Sequence, residues 1–158
     1  MMRDERGSAA ALVVVMLPLL LTIVLGVVQL GALRVLAARI GSAADLATLA
    51  AADDQDAQQL VDTGLLRLAP DAVAVAREYF ALNLAQVAPQ LGVSPDAAAA
   101  AADVMAFPAQ ALDPLTGWRY ERPTVRLAAA VPVRSPAFAL FFLPATTVVN
   151  VRAASAAR

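Results

Sequence analysis

From Gly7 to Leu33 the chain carries no charged residue. The run reads GSAAALVVVMLPLLLTIVLGVVQLGAL, longer than the roughly 20 apolar residues that cross a bilayer as a helix. Arg3, Asp4, Glu5 and Arg6 precede it, and Arg34 and Arg39 follow it. A buried helix of a soluble protein would keep a polar face over such a length. The expectation is therefore a transmembrane helix over residues 8–33, behind a short tail at 1–7. A cleaved secretory signal is the competing reading. Its apolar region is shorter, and Ala37-Ala38-Arg39 makes a poor cleavage site. Two Arg stand on each side, so the positive-inside rule comes close to a tie. The short tail favours a cytoplasmic N-terminus and a C-terminal head outside.

Composition narrows the chemistry. The sequence holds no Cys and no His, and all 12 basic residues are Arg. Disulfides, thiolate metal sites, imidazole bases, Schiff bases and phosphate-binding lysines are excluded. The net charge of −1 gives no basic surplus for nucleic acid. No catalytic, cofactor-binding or metal-ligating residue is expected. A carboxylate-only hydrolase would draw on Asp103, Asp113 and Glu121. Their spacing does not support it, and it would need an acid pair in a cleft with a raised pKa.

Within the span, Pro18 removes a backbone hydrogen bond and should kink the helix. Pro18, Gly26, Gln29 and Gly31 are the candidates for helix packing. Gly26 and Gly31 are five apart and so do not make a GxxxG motif. Thr22 and Gln29 have two readings: both face another helix, or Thr22 bonds its own backbone and Gln29 sits near the membrane interface. Residues 34–52 read RVLAARIGSAADLATLAAA, rich in strong helix formers. The helix should continue through them, with Ile40, Ala44, Ala47 and Ala51 forming one small, smooth face. Asp53-Asp54-Gln55-Asp56 follows. Negative charge is unfavourable at a helix C-terminus, so the helix should end or bend there. The cluster lacks the pattern of a calcium loop and reads as a solvated turn.

In order, Arg6-Gly7-Ser8-Ala9-Ala10, the Leu17-Pro18 step, Gln29-Leu30-Gly31 and the stretch from Arg39 to Ala52 resemble the N-terminal part of TadE/TadG-like proteins of Tad (Flp) pilus assembly. The resemblance is strong over about the first third and weak in the C-terminal third. It implies a bitopic, non-enzymatic, minor pseudopilin-like component of a pilus or secretion apparatus in the bacterial cytoplasmic membrane. Its implied partners are the membrane, other apparatus proteins and a prepilin peptidase. It also implies processing between Gly7 and Ser8. The family pattern places Glu fifth after that point, where this chain has Leu12; the alternative is an uncleaved assembly protein. A generic membrane-anchored binding module with no pilus role is the other reading.

The rest, 53–158, reads as an α+β head of pilin-like form, helices on a short antiparallel sheet. Leu60 to Leu68 is a short periodic piece broken by Gly64. Ala69-Pro70-Asp71 opens a helix that presents Val73, Ala76, Tyr79, Phe80, Leu82 and Leu84. Tyr79, Phe80 and Asn83 also match the family's second helix. Ser94-Pro95-Asp96 opens another helix, a cap residue followed by proline. Val104 and Ala106 suggest a strand, and Asp113-Pro114-Leu115-Thr116-Gly117 a tight turn. Thr124 to Arg134 and Ala145 to Ser155 alternate as strands. Between them, Pro136 to Pro144 is too short to span a membrane. Its Phe138, Phe141 and Phe142 are candidates for partner or membrane contact, with core burial as the plainer reading.

Overall fold

The computed structural model describes residues 5–55, 57–135 and 144–158, with side chains from residue 12 onward apart from 57–59. One helix, α1 (Glu5–Asp53), forms the spine. Its 49 residues rise about 74 Å at 1.5 Å each. It stops at Asp53, where carboxylates follow and no basic residue stands in the last turn. Then come α2 (Ala57–Thr63), α3 (Ala72–Leu84), a 3₁₀ turn (Ala85–Gln90) and α4 (Pro95–Ala101). Three strands close the chain: β1 (Asp103–Phe107), β2 (Thr124–Arg134) and β3 (Thr146–Ala156).

The sheet is antiparallel in the order β1-β2-β3. β2 and β3 pair along their whole length, from Thr124 opposite Ala156 to Arg134 opposite Thr146. Alternation decides the faces. Val125, Leu127, Ala129, Val131 and Val133 of β2 are buried with Val151 and Ala153 of β3, all turned toward the helices. Leu127 sits opposite Ala153, and Val131 opposite Val149, so the inner face is a ladder of apolar cross-strand pairs. Past the end of β1, Leu91 bridges Val133, and the Gly92 N–H donates to the Pro132 carbonyl at 2.8 Å. A Cβ on Gly92 would stand 3.2 Å from the Pro132 Cβ, so only glycine lets the chain lie this close without displacing its neighbour.

α1 packs over β3 and β2, and α3 lies between α1 and the β1 side of the sheet. The upper half of α1 is thus built into the head. Leu36, Ile40, Ala43, Ala44, Ala47, Thr48, Ala51 and Ala52 are buried, including all four residues of the small face expected from spacing. From α3 come Ala72, Ala76, Phe80 and Leu84, an every-fourth-residue stripe. Tyr79 and Leu82, expected on the apolar face, are instead exposed. The stripe facing α1 is narrower than the sequence suggested, because alanines let the two helices approach on a single row. Ser94 caps α4, its Oγ accepting from the Ala97 N–H at 3.2 Å.

Candidate functional site

Among the described residues the lower half of α1 touches the head by a side-chain hydrogen bond only at Gln29. Every large apolar residue from Leu12 to Leu30 is exposed, from 39% at Leu25 to 71% at Val14. These 19 residues rise about 28 Å, close to the thickness of a hydrocarbon core. α1 is therefore long and apolar enough to cross a membrane, and its exposed length matches one bilayer. Thr22 Oγ1 donates to the Pro18 carbonyl at 2.8 Å, so this hydroxyl is satisfied within its own helix. Pro18 and Gly31 are exposed and Gly26 is partly covered. A side chain at Gly31 would meet nothing, so this glycine is not needed to admit another part of this chain.

Gln29 is different. Its Nε2 donates to Ser135 Oγ at 3.1 Å, at the end of β2. This bond joins the helix to the base of the head where the exposed run finishes. At the opposite end, Thr48 Oγ1 and Ser155 Oγ share a hydrogen bond of 2.9 Å, and Gln55 Nε2 donates to the Arg158 carbonyl at 2.9 Å. The head is pinned along α1 at both ends, so the helix and the head form one continuous unit. Of the remaining candidate residues, Gly7 and Ser8 lie in α1, ahead of the residues whose side chains are described. Phe138, Phe141 and Phe142 lie outside the described residues. Their segment joins β2 to β3, leaving from Ser135, the residue that receives Gln29.

The carboxylates group differently from a catalytic pair. Arg126 leaves β2 on the outer face of the sheet, yet it is buried, because residues 108–123 fold over it. Its Nη2 donates to Asp103 Oδ2 at 2.8 Å, and its Nε stands 3.5 Å from Asp113 Oδ2. Its guanidinium lies 5.8 Å from the centre of the Phe107 ring, a cation–π distance. Asp113 organises the turn after it. The Leu115 N–H donates to Oδ1 at 2.9 Å, while the Thr116 and Tyr120 hydroxyls donate to Oδ2 at 2.8 and 3.1 Å. Gly117 closes this turn at φ +70°, as its sequence pattern indicated.

Burial alone would raise the Asp113 carboxyl. The Leu115 N–H, the Thr116 and Tyr120 hydroxyls and Arg126 outweigh it and hold the carboxyl below its ordinary value. A general acid needs the opposite shift. The group anchors the turn through these bonds. Among the described residues, no cluster of three or more His, Cys, Asp or Glu could hold a metal ion. Sequence reading missed Arg126 as a buried residue. Strand alternation placed it outward, correctly, and gave no sign that a later loop would cover it.

No curated protein and no solved structure matches the chain. Residues 7–54, nearly the whole of α1, match the family model of Flp pilus-assembly TadE/G-like proteins, the family that the motif order of this segment resembles.

Proposed function

We propose that this protein is a membrane-anchored, non-catalytic component of a Tad/Flp-type pilus or a related secretion apparatus, minor pseudopilin-like in form. The observation that carries the reading is the division of α1. One half is a bare apolar rod of bilayer length, and the other is the spine of a small α+β head. Such a unit acts by being held at a membrane and presenting a rigid head. The family match over residues 7–54 supplies the apparatus. In this reading the chain crosses the cytoplasmic membrane once, N-terminus inside, and its partners are other apparatus proteins. The exposed faces around Pro18, Gly26 and Gly31 pack on neighbouring helices within the bilayer. Phe138, Phe141 and Phe142, outside the described residues, are kept in this reading as candidates for contact with a partner or the membrane.

Two tests apply. Deleting the gene in its host should abolish pili or the dependent secretion, and the full-length gene should restore them. Unchanged piliation would sink the assembly role and leave a generic anchored binding module. The mass and N-terminal sequence of the mature protein from host membranes then decide the form. A start at Ser8 means processing by a prepilin peptidase despite Leu12. An intact N-terminus means a permanent anchor.

A further inference from the structure

The base of the head is cationic where it meets the apolar rod. Arg39 of α1 and Arg134 at the end of β2 line one cleft of about 390 Å³, together with Gln29, Gln90, Leu33 and Leu36. Both arginines are exposed, and among the described residues neither has an ion pair. No carboxylate is among the lining residues, and none lies within five positions of Arg39 or Arg134 in the sequence. The chain has no Asp or Glu from 6 to 44, from 79 to 95, or from 122 to its end. On α1 the nearest carboxylate above the cleft is Asp45, six residues beyond Arg39. Gln29, at the upper end of the exposed apolar run, lines the cleft, and the half-buried Leu33 and the buried Leu36 form its apolar wall.

We propose that this cleft binds the phosphate headgroup of an anionic phospholipid from the leaflet beside the head, its acyl chains lying along the lower half of α1. The inference rests on the membrane reading above. Two guanidiniums can bind a phosphate through paired hydrogen bonds. Gln29 and Gln90 offer amide groups to the glycerol and ester oxygens. The apolar wall accepts the start of an acyl chain. Basic pockets at the membrane boundary hold anionic headgroups in this way. Such a lipid would fix the height and the tilt of the head over the bilayer.

The test uses the full chain reconstituted into phosphatidylcholine vesicles containing a minor fraction of phosphatidylglycerol. The protein is then extracted in mild detergent, and bound lipid is counted by native mass spectrometry. The wild type should retain phosphatidylglycerol in preference to phosphatidylcholine. Arg39→Gln and Arg134→Gln should each lower that retention about fivefold, and the double variant about thirtyfold. Arg34 is five residues from Arg39 and so faces another side of the helix; Arg34→Gln should leave retention unchanged. Excess inorganic phosphate should not displace the lipid.

Equal retention in the double variant, or an equal loss in Arg34→Gln, overturns the site. Displacement by phosphate alone makes it a free-anion site and overturns the lipid assignment. A chain that does not enter the vesicles overturns the membrane reading, and the proposal with it. That outcome is distinct from insertion without lipid retention. The single variants keep the test decisive if the double variant fails to fold.

Discussion

Replacing Asp113 by alanine should destabilise the head by about 3 kcal/mol. The carboxylate is buried and receives three hydrogen bonds, from the Leu115 N–H, Thr116 and Tyr120. Bonds to a charged acceptor contribute about 1.5–3 kcal/mol each, and they do not add. Removing one partner of a buried ion pair typically costs about 3–5 kcal/mol. The low end applies because Arg126 keeps Asp103 at 2.8 Å. Asp103 is itself 55% exposed, but it takes the one hydrogen bond that the buried Arg126 makes among the described residues, so Asp103→Ala should cost about 1–3 kcal/mol. The assay is urea unfolding of the full chain in detergent, followed by circular dichroism and by fluorescence. Trp118 is the sole tryptophan, and its carbonyl accepts from the Asp113 N–H at 2.8 Å, so its emission reports this turn.

The pH dependence has a fixed sign. The folded Asp113 carboxyl is held below its ordinary value. Its contribution is complete above the unfolded pKa of about 3.9 and is lost as pH falls through the lower folded value. The stability gap between wild type and Asp113→Ala should therefore be constant near neutrality and close only below about pH 4. A loss under about 1 kcal/mol at pH 7 would refute the role assigned to the turn. So would a gap that widens as the solution is acidified.

Three further outcomes follow from packing and capping. Phe80→Ala, at a fully buried site between α3 and α1, should cost about 3–5 kcal/mol, whereas Tyr79→Ala on the exposed side of α3 should change urea stability little. Ala47→Leu should destabilise by about 1–3 kcal/mol, since Ala47 is fully buried on the face of α1 that meets the head. The neighbouring Leu46 is half exposed, so the same bulk one residue away is already tolerated. Ser94→Ala should cost about 1 kcal/mol by removing the N-cap of α4; a loss near zero in thermal unfolding would mean that packing alone holds that helix.

Much of this architecture was legible in the sequence because it follows from local rules. An uncharged apolar run of this length announces one long helix, apolar enough to cross a membrane. The alanine face of residues 40–51 announces close packing, since small residues at helical spacing can do little else. Ser94-Pro95, Asp113 to Gly117 and the alternation from Thr124 to Arg134 each carry their conformation in their own residue types. The C-terminal end of α1 was readable from the acids that follow it.

What the chain does across long separations was not readable. Arg126 obeys alternation and points outward, and only the return of residues 108–123 over that face buries it and sets it between Asp103 and Asp113. The Gln29–Ser135 bond joins residues 106 apart, and the cleft shared by Arg39 and Arg134 draws on segments 95 positions apart. Local sequence determined which faces are apolar, how long the uncharged run is and where the turns fall. Which charges meet, and which have no ion pair among the described residues at the base of the head, was decided by the antiparallel return of β2 beside α1, which brings distant residues to one level of the helix.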